Sequence, residues 1–190
     1  MPTPNRTAVI IVAAGRGLRA GPGGPKQYRT LGGRSVISRA MAAFCGHPQI
    51  AAVQPVVNPD DIAIFNQAVG NIRALAPVNG GATRQASVRA GLEALVATAP
   101  DIVLIHDAAR PFANDALIAR AIEAATKTGA AVPVIPVTDT IKQVDTDGHV
   151  DATPERAKLR IAQTPQAFRY DAILEAHRRA AREGRDDFTD

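Results

Sequence analysis

The sequence predicts an α/β fold: a doubly wound, mostly parallel sheet with helices on both faces and a protruding β-hairpin arm. Three observations carry this. Residues 8–13 (AVIIVA) are a continuous apolar, largely β-branched run closed by glycines, the pattern of a strand buried on both faces of a parallel sheet. From there to Pro136, strand-like and helix-like segments alternate as they do in βαβ units. Between Val137 and Gln163 the alternation gives way to a polar stretch that turns at Asp147-Gly148.

Taken in order, residues 8–13 form the first strand. After a Gly/Pro-rich segment, residues 35–44 place Val36, Ile37, Ala40, Met41 and Phe44 at helical spacing. A second strand follows near 51–57, ended by Asn58-Pro59, then a helix near 60–69 and a short strand near 74–78. A helix over 84–97, a strand over 101–105, a helix around 114–126 and a strand over 130–136 complete the alternation. Residues 138–158 form the arm, which has little apolar surface of its own and must therefore pack on something, such as a second subunit. Residues 170–182 read as a basic amphipathic helix with Ile173, Leu174 and Ala181 inward. No repeat, low-complexity tract or internal boundary divides the chain, so residues 1–190 are read as one domain.

Composition narrows the function. The chain is 46% hydrophobic and 21% charged, which excludes disorder, and its longest apolar runs fall far short of the roughly 20 residues of a membrane span. The N-terminus lacks the features of a secretory signal, so the expected location is the cytoplasm. A single cysteine, Cys45, excludes an internal disulfide and a thiolate metal cluster, and its apolar helical setting reads as core. Residues 1–59 contain seven Lys/Arg and no Asp or Glu, leaving 15 bases against 18 acids in the remainder. The positive field therefore belongs to the N-terminal third, where something anionic binds. Nucleic acid is a poor fit, because seven scattered aromatics and no Trp provide no base-stacking platform. A small phosphorylated ligand fits better.

The first chemical constellation follows the first strand. Gly15, Gly17 and Ala20 satisfy a loose G-x-G-x-x-A fingerprint, but the acid that a dinucleotide site wants about 20 residues on is missing. No Gly-Lys-Ser/Thr makes it a Walker A loop. The segment runs instead through Gly21-Pro22-Gly23-Gly24 to Pro25-Lys26-Gln27-Tyr28, a loop whose backbone N–H groups can wrap a triphosphate while Arg19 and Lys26 neutralise the reacting phosphates; the bland alternative is a flexible surface loop. Gly80-Gly81 before a helix gives a tight turn with free N–H groups, and Ser87 lies one turn in. Asp107 and Arg110 sit just past a strand end, where α/β sheets bind ligands, with capping of the next helix as the bland alternative for Asp107. His106 reads as a structural histidine rather than a base.

AAGRGLR with PKQY, then GGATRQASVRAGL at 80–92, VLIHDAARPF at 103–112, PVTDTIK at 136–142 and AQTPQAF at 162–168 stand in a known order and spacing. On these motifs the chain, from Ala8 onward, resembles the 2-C-methyl-D-erythritol 4-phosphate cytidylyltransferase family, the CTP-using enzymes of the non-mevalonate isoprenoid pathway. The resemblance implies a nucleotidyltransferase-type fold and transfer of a cytidylyl group from CTP to the polyol phosphate, with Mg²⁺ or another divalent cation. It implies CTP contacts at Ala13, Ala14, Gly15, Gly17, Gly81, Ser87 and Ala108, with Arg84 supporting the loop and Arg19 and Lys26 as catalytic cations. It implies substrate contacts at Asp107, Arg110, Thr140, Arg156 and Thr164, with Asp107 also offered to the metal. In the family the arm interlocks in a homodimer, so Thr140 and Arg156 are expected to act on the partner's site and Thr164 within its own subunit. The chain departs from the family at Ala82, where an acid is frequent, and at Ala20, where methionine is usual. It also ends at Asp190, short of a family segment with a substrate-contacting lysine, so the expectation is an incomplete C-terminal end, as in the N-terminal portion of a longer or fused enzyme, the alternative being a site finished differently. The alternatives are a cytidylyltransferase for another polyol phosphate, such as ribitol 5-phosphate, and a non-catalytic nucleotide-binding domain.

Overall fold

The computed structural model describes residues 6–16 and 24–185. Strand β1 (Thr7–Ala13) is followed by a small hairpin, β2 (Thr30–Leu31) and β3 (Arg34–Ser35), then α1 (Val36–Cys45), β4 (Ile50–Val57), α2 (Ile62–Val69), β5 (Val78–Asn79) and α3 (Arg84–Ala94). Next come β6 (Ile102–Asp107), α4 (Asp115–Thr128), β7 (Ala130–Ala131) and β8 (Val134–Pro136). The arm adds β9 (Gln143–Val144), β10 (Val150–Ala152) and β11 (Arg160–Ala162) before β12 (Gln166–Arg169) and α5 (Tyr170–Arg182). The main sheet has six strands in the order β5-β4-β1-β6-β12-β7. β1 pairs in parallel with both β4 and β6, whereas β12 runs antiparallel between β6 and β7.

The sheet is covered on both faces, which is why its central strands are predominantly apolar rather than alternating. Val9, Ile11 and Ala13 of β1 pack with Ile37, Met41 and Phe44 of α1 and with Ile118 and Ile122 of α4. Ala8 and Ile10 face the other way, toward Val88 and Leu92 of α3 and Ile173 and Leu174 of α5. Helix starts follow local chemistry: the side chains of Ser35, Thr83 and Asn114 accept backbone N–H bonds at the first turns of α1, α3 and α4. No helix among the described residues is long and apolar enough to cross a membrane.

Several predicted elements differ from the structure. The strand expected near 74–78 is reduced to β5, because Pro77 offers no N–H to a ladder; the chain before it is held by Leu75 N–H to Val53 O (2.9 Å) and by the Gln54 amide to Ala76 O (2.9 Å). The strand expected over 130–136 divides at Pro133 into β7, which stays in the sheet, and β8, which leaves it to pair with β11 at the base of the arm. The arm is therefore longer than 138–158, since Gln163 N–H closes it on Pro133 O (2.8 Å). It is also less polar than expected, exposing Val134, Ile135, Ile141, Val144, Val150 and Ile161. β12 was hidden in sequence behind Pro165 and has only four residues. In α5 Ala180 is buried and Ala181 only partly so. Cys45 is half-buried at the edge of the core, its Sγ facing Arg73 O at 3.1 Å, and burial pushes its thiol pKa up.

Helix α3 lies so close to the sheet that a Cβ on Gly91 would stand 2.7 Å from Ile10 Cγ2 and 2.9 Å from Val56 Cγ2. Gly91→Val should therefore overpack this face and lower unfolding free energy by about 1–3 kcal/mol, measured by urea denaturation. An unchanged midpoint would mean that α3 can withdraw from the sheet at no cost.

Candidate functional site

Parallel pairing brings the carboxyl ends of β1, β4 and β6 to one edge, where crevices in open α/β sheets form. Ala13 stands opposite Val57 and Val12 opposite Asp107. Two backbone bonds extend that alignment beyond the strands, Gly80 N–H to Val57 O (2.8 Å) and Ala108 N–H to Val12 O (3.0 Å). Ala13, Ala14, Gly15, Gly81 and Ala108 thus gather at this edge. Gly80 is pressed against it: a Cβ there would lie 2.3 Å from Ala14 Cβ, so only glycine fits. Ser87 is buried and committed to the turn, accepting from Gly81 N–H (3.1 Å) and donating to Thr83 O (2.9 Å). Its hydroxyl shapes the Gly80-Gly81 turn in this structure.

Gly17 and Arg19 lie outside the described residues, as does Ala20. The flanks of that loop are defined. Arg16 is turned toward the segment after β4, with Nη2 on Asn58 Oδ1 (3.3 Å) and Asp60 and with Nη1 3.6 Å from Asp61 Oδ1. One of the N-terminal cations is therefore answered by the first acids in the chain, a pairing the charge count alone does not reveal. On the other flank Lys26 is exposed on a 3₁₀ turn, while Gln27 beside it is buried and donates to Ala13 O (2.8 Å) and Gly15 O (3.0 Å).

Asp107 stands between two guanidinium groups: Oδ1 is 3.3 Å from Arg84 and Oδ2 is 3.3 Å from Arg110. Arg84 also donates to Gln166 Oε1 (3.3 Å), and Arg110 donates to Gln163 Oε1. Beneath them His106 is fully buried. Its Nε2 faces Arg110 O at 2.9 Å and must carry the proton, so Nδ1 accepts from the Thr164 hydroxyl at 3.0 Å. Thr164 Oγ1 in turn accepts from Asp107 N–H at 3.4 Å. Burial is the main reason that the His106 pKa falls to about 4, and the imidazole holds the Asp107-Arg110 turn as a neutral group. The structural reading of His106 agrees with this geometry.

The structure unites Asp107, Arg110 and Thr164, and it links them through Arg84 to the Gly80-Gly81 turn. Thr140 and Arg156 are exposed on the arm, where Arg156 Nη1 donates to Thr138 O (2.8 Å). Sequence reasoning missed Gln27, Gln163 and Gln166 as individuals. Glutamine has no charge or periodicity to mark it, so their only signal was membership of the PKQY and AQTPQAF motifs. Among the described residues one group of carboxylates and imidazole has metal-like spacing, Asp145, Asp147 and His149 at the arm tip. All three are exposed, and Asp145 Oδ1 already accepts the N–H groups of Asp147 (3.0 Å) and His149 (2.8 Å).

A family model described as IspD, 2-C-methyl-D-erythritol 4-phosphate cytidylyltransferase, matches residues 7–190. A bifunctional enzyme IspD/IspF of Nitrobacter hamburgensis is 78% identical over 190 residues, which are 100% of this chain and 47% of that protein. One of Bradyrhizobium sp. is 73% identical over 190 residues, 48% of its length. The chain spans about half the length of the curated relatives it matches. Among solved structures, a 2-C-methyl-D-erythritol 4-phosphate cytidylyltransferase from Thermus thermophilus has a TM-score of 0.77 at 36% identity, over 96% of this chain and 79% of that one. A 4-diphosphocytidyl-2C-methyl-D-erythritol synthase from Anaerococcus prevotii has a TM-score of 0.82 at 29% identity, over 99% and 80% respectively.

The burial of neutral His106 fixes a pH dependence. Between about pH 6.5 and pH 4 the unfolded chain binds a proton at this position that the folded chain does not, so stability should fall as pH drops through that window. The loss from this group approaches about 3 kcal/mol at the acid end. Urea unfolding at pH 4, 5, 6 and 7 should show a steeper dependence in the parent than in His106→Asn, and parallel curves would remove His106 as the cause.

Proposed function

The chain belongs to the 2-C-methyl-D-erythritol 4-phosphate cytidylyltransferase family, and from that premise we propose that it transfers the cytidylyl group of CTP to 2-C-methyl-D-erythritol 4-phosphate and releases pyrophosphate. The observation that supports this most is the meeting of a glycine-lined crevice, Ala14 against Gly80, with a cationic rim that includes Arg110 at the same sheet edge.

In this reading the polyol phosphate supplies an ionised oxygen that attacks the α-phosphorus of CTP. A phosphorus–oxygen bond forms, the bond from the α-phosphorus to the bridging oxygen breaks, and its electron pair leaves with pyrophosphate. The nucleophile is already deprotonated, so no general base is required, and buried neutral His106 does not serve as one. The backbone of residues 13–16 lines the triphosphate, while Lys26, with Arg19, carries charge toward the phosphates. The Gly80-Gly81 turn, fixed by Ser87, sets the size of the base pocket. Arg110 offers the planar fork suited to the polyol's phosphate, and Thr164 lies beneath it.

A divalent cation is expected with CTP. Asp107 does not fit as its ligand in this arrangement, since each of its oxygens faces a guanidinium. Dimerisation through the arm is part of the same reading. Its support is the row of exposed apolar side chains along β8 to β11, which no segment of the described chain covers, and Thr140 and Arg156 then act on the neighbour's site.

Pyrophosphate release with CTP and 2-C-methyl-D-erythritol 4-phosphate tests the reaction. The expected outcome is turnover that is poor with GTP or with ribitol 5-phosphate and that falls on the order of 10²-fold in kcat in Lys26→Ala; comparable rates with GTP, or normal turnover of Lys26→Ala, would overturn the assignment. The arm is tested by mixing subunits. A dimer of one Arg156→Ala and one Lys26→Ala subunit retains one intact site if Arg156 acts in trans, so random exchange should restore roughly a quarter of wild-type activity, which neither variant alone shows, from symmetry counting. A monomer by sedimentation, or no recovery after proven exchange, would exclude the trans arrangement.

A further inference from the structure

We infer that Gln27 is a positioning residue for the reaction: its buried carboxamide ties the far end of the phosphate-facing loop back to the carboxyl end of β1 and thereby sets where Lys26 stands. The inference rests on the cytidylyl-transfer reading, but its geometry is independent of the substrate.

Gln27 is 3% exposed, and Nε2 has two hydrogens and two acceptors, Ala13 O at 2.8 Å and Gly15 O at 3.0 Å. The donor capacity of that nitrogen is fully used. The amide cannot be reversed without placing its oxygen against two carbonyls, so the network fixes its orientation. The two bonds span 14 and 12 residues, closing the loop at its base whatever its middle does. The backbone on the Gln27 side is rigid as well: Tyr28 N–H bonds Pro25 O (3.1 Å), Arg29 N–H bonds Lys26 O (3.2 Å), and Val36 N–H bonds Arg29 O (3.0 Å) at the start of α1.

Within that 3₁₀ turn Gln27 points inward and Lys26 outward. Tyr28 packs this turn against the core, and the Gln27 side chain bonds it directly to the backbone of residues 13–15 from which the loop departs. Without that tie, Lys26 keeps its charge and loses its register. A misplacement of about 1 Å can cost on the order of 10²-fold in rate, whereas removing two hydrogen bonds from a loop base leaves the hydrophobic core intact.

The test compares wild type, Gln27→Met, Lys26→Ala and the double variant. Gln27→Met keeps length and approximate volume and removes the donors. It should lower the thermal midpoint by no more than about 10 °C, lower kcat about 10- to 100-fold, and speed amide hydrogen exchange over residues 13–16 and 26–28. Because Gln27 acts through Lys26, the double variant should be within about threefold of Lys26→Ala alone. A kcat within twofold of wild type, or additive losses in the double variant, would overturn the inference, since a merely structural residue lowers the midpoint without this dependence on Lys26. If Gln27→Met fails to fold, Gln27→Glu, which keeps the shape and sets a carboxylate against the two carbonyls, is read by the same measurements. Absence of turnover in wild type would count against the cytidylyl-transfer reading instead; in that event exchange still judges the tie, unchanged protection over residues 13–16 and 26–28 in Gln27→Met overturning it and faster exchange there supporting it.

Discussion

Everything at the site depends on β1 being paired in parallel on both sides. Its ladders with β4 and β6 fix Ala13, Val57 and Asp107 at one level of the sheet. The strand is buried on both faces, so a register slip by one residue would exchange Val9 and Ile11 with Ala8 and Ile10 between two differently shaped cores. The hydrophobic packing that stabilises the fold therefore also aligns the three strand ends. The loops beyond them inherit that alignment through single backbone bonds, Gly80 to Val57 and Ala108 to Val12.

Beneath the strand ends, three buried polar side chains are fixed by neutral partners. His106 has bonding partners for both ring nitrogens and is held uncharged; Gln27 and Thr164 are likewise buried and bonded. Charges stay nearer the surface, in Asp107, Arg84 and Arg110, where water lowers the cost of ionisation. This division has a chemical consequence. Guanidinium groups held by one partly exposed carboxylate can be redirected to a phosphate without leaving a buried charge unpaired, while the neutral layer beneath keeps its geometry.

The sequence revealed most of the sheet because its central strands carry long, nearly continuous apolar runs. Residues 8–13, 51–57 and 101–105 were legible as strands, and Ser35 and the Gly/Pro punctuation located α1. β12 was not legible: four residues behind Pro165, with Ala167 alone fully buried and apolar, offer no period to detect. The division of residues 130–136 depended on where the chain goes after Pro133, which is a tertiary matter. At the site, the motifs marked Asp107, Arg110, Gly81 and Ser87 by position. They did not show that Ser87 is committed to the turn or that Arg16 is answered by Asp60 and Asp61. Those are facts of geometry, created when strand ends distant in sequence come together.

The cations of the proposed reaction differ in how firmly this chain holds them. Lys26 adjoins a side chain bonded to β1, and Arg110 sits on a turn underpinned by His106. Arg156 has only the arm, built of ladders two or three residues long with apolar side chains facing outward. An isolated two-stranded ribbon of that length is marginal in water, so it cannot by itself hold a guanidinium to the tolerance that phosphoryl transfer requires. Burial of its apolar face is what would make it rigid. If a second copy supplies that burial, association and placement of Arg156 are one event, and the arm couples assembly to catalysis through packing alone.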